Sequence, residues 1–192
     1  MNCSDLPNDD KLMECKRWLV QLAVQAETIL RDYDLWKDVV EITFNSPVAK
    51  QSSEFHPWLD RSVSCSILVG VRRLVYGTRK DDVTLMKLLS EVKAQRKVGS
   101  TEVERDIKEL NEAAKAVKIW VDKRVAHCTR HDPPKNLTHG ELREAMGAIE
   151  RVILKYEGVF GCPQRLHNTL RQQPDDSWKC IFREAWLPRQ QS

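Results

Sequence analysis

Residues 138–161 read THGELREAMGAIERVILKYEGVFG, and this stretch decides the fold class. Thr138 followed three residues later by Glu141 is a capping box, in which each side chain satisfies a free backbone amide at a helix start. Leu142, Met146, Ile149, Ile153 and Tyr156 then recur at three- and four-residue steps, the spacing of one buried helical face. Gly158 and Gly161 are expected to close the helix.

The same period extends outward towards the N-terminus. Ile107, Leu110, Ala114, Val117, Val121 and Val125 predict a preceding helix. It must stop before Pro133-Pro134, because proline pushes the residue ahead of it out of the α region. Leu85, Leu88, Leu89 and Val92 mark a shorter helix between the polar run Thr78–Asp82 and the break at Gly99-Ser100. Trp58, Val63, Ile67, Leu68, Val71, Leu74 and Val75 predict another, with Pro57 in its first turn and Gly77 at its end. From Asp9 onward, Leu12, Leu19, Leu22, Ala26, Ile29, Tyr33, Trp36 and Val40 form one long amphipathic helix, with Asp32–Asp34 the place to expect a break. The polar stretch from Asn45 to Ser53 reads as a loop. No run alternates with period two for long enough to make a strand. Short connections favour antiparallel neighbours. The expectation is therefore all-α: an antiparallel up-and-down bundle of about five helices over residues 1–158. An irregular C-terminal extension, residues 159–192, carries Trp178 and Trp186 and is expected to pack on the bundle or on a second subunit.

At 192 residues, with 31% charged and 41% hydrophobic residues and only 7 Gly and 8 Pro, the chain fits a single domain and is neither collagen-like nor of low complexity. Its mean hydropathy is −0.52. The longest apolar run, Ile67–Val71, is far short of a membrane span. Asp5, Asp9 and Asp10 stand where a secretory signal would need basic and then apolar residues. A cytoplasmic protein without membrane contact is expected. The cysteines at 3, 15, 65, 128, 162 and 180 form no close pair and read as reduced thiols. The net charge of +3 divides unevenly: residues 1–60 hold 6 Lys/Arg against 11 Asp/Glu, so the remainder carries +8.

Functional residue types are densest at WVDKRVAHCTRH, residues 120–131. On a continuous helix, positions 120, 124, 127 and 131 share one flank beside the buried stripe. An imidazole moves protons near neutral pH, and a guanidinium neutralises the charge that develops on a phosphate. Metal-free cleavage of an RNA phosphodiester needs this combination: a base for the 2′-hydroxyl, an acid for the leaving oxygen and a fixed cation. The blander account is that cations near a helix C-terminus complement its dipole. Zinc ligation by Cys128 and His131 with Cys162 and His167 is disfavoured within one chain. The helix between the two pairs separates them by about 28 Å, and the four residues after Glu157 reach back only about 14 Å. Neither a metal nor a cofactor is expected. Arg72 and Arg73 interrupt an apolar helix; one that faces inward needs an anion, with Asp122 or Asp60 available. With Arg79, Lys80, Lys87, Lys93, Arg96 and Lys97 they could also make a phosphate-binding face, though Tyr76 is the one aromatic residue interleaved there. His56 and His139 read as capping or surface groups.

Three blocks occur in order: VRRLVYGTRKDDVTLMKLLSEV (71–92), VDKRVAHCTR (121–130) and LTHGELREAMGAIERVILKY (137–156). Together they resemble the AbiU-type abortive-infection branch of the HEPN (higher eukaryote and prokaryote nucleotide-binding) superfamily. The resemblance covers residues 58–157, with the first long helix as a fifth element, and leaves the tail unexplained. It implies an all-α bundle, frequent homodimerisation and, in active members, a metal-independent ribonuclease with an Arg-x4–6-His motif. The DKRVAH block aligns His127 with the family histidine. The arginine would then fall at or near Val121, where it is absent. Arg124-x6-His131 meets the spacing literally, and Arg72 or Arg73 are the other sources of a cation.

The expected function is a ribonuclease of toxin or phage-defence type acting by 2′-hydroxyl attack. His127 or His131 would be the acid/base groups and Arg124 the phosphate clamp. Asp122, Lys123, Arg130, Arg72 and Arg73 would bind substrate. Expected partners are a second copy of the chain, RNA, and an antitoxin or other protein. The competing expectation is a non-catalytic module that binds RNA, a nucleotide or a protein through the same bundle.

Overall fold

In the computed structural model, which describes residues 9–45, 54–96, 98–126 and 137–162, the chain forms five α-helices and no strand among those residues. They are α1 (Asp9–Asn45), α2 (Phe55–Tyr76), α3 (Leu85–Ala94), α4 (Ser100–Val121) and α5 (His139–Phe160). A π turn, Asp122–Ala126, continues α4.

The 37 residues of α1 make a rod of roughly 55 Å. The break expected at Asp32–Asp34 does not occur. Asp32 is exposed and Asp34 pairs with Lys37 at 2.6 Å on the solvated side, so the buried stripe runs on through Leu30, Tyr33 and Trp36. Small residues of that stripe, Ala23 and Ala26, are buried with it. Ile29 lies against Gly70, where an added Cβ would come within 3.0 Å of its side chain; a glycine is what lets α1 and α2 approach there. Higher along α1, Trp36 Nε1 donates to Asp60 Oδ1 at 3.1 Å. Partner positions thus fall along α2 as they rise along α1, an antiparallel pairing.

Gly77 ends α2 with φ +70°, and a Cβ there would stand 2.7 Å from Thr84 and 2.9 Å from Asp82. The turn after it is organised by Asp82, whose carboxylate accepts from the Thr78 amide at 2.6 Å, the Thr78 hydroxyl at 2.9 Å and the Arg79 amide at 2.9 Å. Those bonds, the Thr78 amide foremost, hold its carboxyl down at about 2. Thr84 then caps α3 by accepting from the Lys87 amide at 3.1 Å, and Leu85, Leu88, Leu89 and Val92 are fully buried, each removal from water worth roughly 2 kcal/mol.

The capping box of α5 is present in full: Glu141 N–H donates to Thr138 Oγ1 at 3.2 Å and Thr138 N–H donates to Glu141 Oε2 at 2.8 Å. Gly158 lies inside α5, and the end falls at Gly161, beyond which the Cys162 amide returns to Glu157 O at 2.9 Å. Between α4 and α5 the core contains a carboxylate. Asp106, 8% exposed, accepts from Tyr156 Oη at 2.8 Å and Lys155 Nζ at 2.6 Å. The apolar spacing puts Ile107 on this stripe; the structure buries Val103 and Asp106 and leaves Ile107 half-buried. Trp58, also expected to face inward, is 61% exposed. No helix among the described residues is long and apolar enough to cross a membrane.

Candidate functional site

The segment richest in functional residue types begins where α4 gives way to the π turn. Hydrogen bonds that skip five residues widen the helix there, a local irregularity frequent at functional sites. Asp122, its first residue, accepts from Arg72 Nε of α2 at 3.0 Å and from Lys118 Nζ at 2.9 Å. Partial burial opposes ionisation of this carboxyl, but the bonds and charges of Lys118 and Arg72 outweigh it and hold Asp122 below the usual carboxylate range. Tyr76 stands beside this group, its hydroxyl 3.0 Å from Asn111 Oδ1, with Lys118 Nζ 5.8 Å from the ring centre. Burial, then the Asp122 charge, pushes its phenol up. The π turn is thereby moored to α2.

Beside it opens a cleft of about 200 Å³, walled by Trp36 of α1, Asp60, Ser64 and Leu68 of α2, Trp120 and Arg124 at the end of α4, and His139 and Leu142 of α5. Two ring contacts shape it. The His139 imidazole lies on the Trp36 indole with ring centres 4.8 Å apart and planes 11° from parallel. The Arg124 guanidinium sits 5.8 Å from the centre of the Trp120 ring. Trp36 is 4% exposed, whereas His139 and Arg124 are exposed. The capping box explains why the imidazole is there: Thr138 and Glu141 fix how the chain enters α5, and His139 is its first residue.

The structure thus brings Arg72 and Asp122 together, as the need of an inward arginine for an anion suggested, and sets Arg124 on the cleft. Nη1 of Arg72 is buried with no hydrogen-bond partner among the described residues. Lys123 is exposed, as is Arg73 in the last turn of α2. Val121, at the position aligned with the family arginine, is 5% exposed and part of the core. His127, Arg130 and His131 lie outside the described residues, as do Cys128 and His167 of the zinc reading. On the basic α2–α3 side, Lys87 stands over Trp18 at 5.1 Å and Lys93 pairs with Glu104 at 2.7 Å, so two of its cations are already engaged. Sequence reasoning gives His139 no place in the site. Its partner is 103 positions away, and the only local signal is its place one residue past a strong cap.

A HEPN family model described as AbiU2 matches residues 14–178, a span that takes in α2 to α5 and all but the first five residues of α1. No curated protein and no solved structure matches the chain.

Proposed function

The chain belongs to the AbiU2 family of HEPN proteins, and from that premise we propose that it is a metal-independent endoribonuclease of toxin or phage-defence type. In this reading His127 or His131 takes the proton of a ribose 2′-hydroxyl. The freed oxygen attacks phosphorus, and the other imidazole returns a proton to the 5′ oxygen as its bond breaks. The products are a cyclic phosphate and a 5′-hydroxyl. Arg124 neutralises the charge that builds on the phosphate. Asp122 and Lys123 position the strand, and Arg72, Arg73 and Arg130 add positive charge around it. The observation that carries the reading is the exposed Arg124 guanidinium on an open cleft, three residues ahead of the histidine that aligns with the family motif. The mooring of Asp122 to Arg72 and Lys118 supports it, because a cation acts best where its backbone is fixed. We place the protein in the cytoplasm as a homodimer, with RNA as substrate and an antitoxin or other protein as regulator.

Incubation of the pure protein with single-stranded RNA, with and without EDTA, tests this. Cleavage is expected to survive EDTA and to fall at least a hundredfold in His127→Ala or His131→Ala. No cleavage, or cleavage equally retained in both variants, ends the proposal. A second reading has its own support: the buried valine at position 121 favours a bundle that binds RNA or protein without cutting. RNA affinity that weakens with salt and is unchanged by both histidine substitutions would point to that module.

A further inference from the structure

Resting on that reading of the site, we infer that the cleft between α1 and α5 is a nucleobase subsite: an unpaired base of the RNA stacks on the outer face of His139, with its phosphate turned towards Arg124.

The argument starts from the His139–Trp36 pair. An imidazole lying 11° from parallel on an indole is held flat, and since Trp36 is buried while His139 is exposed, the outer face of the pair is available to solvent. Unstacked bases of single-stranded RNA settle on such aromatic faces and on guanidinium planes. The same cleft is lined by a guanidinium, that of Arg124, 5.8 Å from the centre of the Trp120 ring. Size narrows the ligand. At about 200 Å³ the cleft falls short of the ~300–1,000 Å³ that encloses a drug-sized molecule, so it takes one ring system and leaves sugar and phosphate outside. Charge sets the orientation. Asp60 repels phosphate and accepts N–H donors; with Oδ1 engaged by Trp36 Nε1, its second oxygen can receive the exocyclic amino group of a base. Arg124 attracts phosphate. The base therefore lies towards Asp60 and the backbone towards Arg124.

The probe is a hexaadenylate with 2′-O-methyl groups, which cannot be cleaved by 2′-hydroxyl attack, so binding is read apart from catalysis. Its affinity for the wild-type protein, followed by quenching of tryptophan fluorescence and by calorimetry, is compared with that of an abasic chain of the same length and charge. The base-bearing chain is expected to bind at least tenfold more tightly. His139→Ala should remove about tenfold of its affinity and leave the abasic chain unaffected. His139→Phe keeps a stacking face and should restore binding to within about threefold. This rescue separates loss of the platform from loss of the fold, which thermal melts of both variants check. Equal affinity for the two chains, no binding at low salt, or hexaadenylate affinity unchanged in His139→Ala would each overturn the subsite. Cleavage of unmodified RNA that depends on Arg124 and His127 but not on His139 would overturn the subsite and leave the ribonuclease reading standing. Base-dependent binding without any cleavage would do the reverse.

Discussion

Helix α4 and the π turn that continues it carry two aspartates that each accept from a lysine and one further donor, and they serve opposite ends of the molecule. Asp106 is 8% exposed and takes Tyr156 and Lys155 as partners. Asp122 has a side chain 32% exposed and takes Arg72 and Lys118. At the first, burial and the bond to Asp106 push the phenol of Tyr156 upward, and the group is part of the packing between α4 and α5. At the second, the same chemistry ties an irregular turn to α2 beside an open cleft. The difference lies in what the carboxylate leaves exposed. Asp106 serves a fully buried tyrosine, while the residue two places after Asp122 is an exposed arginine. The same carboxylate chemistry gives rigidity inside the core at one end and holds a half-exposed turn beside the cleft at the other.

The sharpest way to break this contrast is Asp106→Ala. It strands the Tyr156 hydroxyl in the core, and the expected cost is about 3 kcal/mol in urea denaturation. A loss no greater than that of the Asp122 variant would mean that the two ends are energetically alike. Asp122→Ala should cost about 1 kcal/mol or less, since solvent screens the pair, yet RNA cleavage should fall about tenfold because the turn bearing Arg124 is no longer moored. The smallest effect is in acid. The carboxyl of Asp122 ionises more readily in the folded chain than in the unfolded one, so its stabilisation is present above the ordinary carboxylate pKa and fades as pH falls through the lower, folded value. Melting temperatures of Asp122→Asn and the wild type should therefore differ at pH 6, and the gap should close as the pH is taken below the ordinary carboxylate range. A gap that persists in acid would show that the residue acts through packing and not charge.

The fold is readable in the sequence wherever a local rule acts alone. The Thr138–Glu141 cap, the α3 leucines and the close of α2 at Gly77 all follow from spacing within one helix. Periodicity defines a face but not which of two adjacent residues is innermost, so it assigns Ile29 and Ile107 to the core while Leu30 and Asp106 are the buried ones. The pairing of Arg72 is open to reasoning because an inward guanidinium demands an anion. The His139–Trp36 stack is not: neither residue departs from its helical pattern, and their meeting is decided by how α1 and α5 pack. Nor does anything in DKRVA distinguish a π turn from the α-helix it continues, because both conformations use the same backbone basin and the same residues.

That widened turn gives this end of the helix a slack that regular winding lacks. A helix advances 100° for each residue, and a π turn takes up one residue more than the α turn it replaces. Excising any single residue between Asp122 and Ala126 would close the segment into regular winding, whereas the same excision within Ser100–Val121 would turn the residues after it by roughly 100° about the helix axis and carry the buried stripe off the core. Where a site is carried on a helix, its length in residues is as much a determinant as its composition.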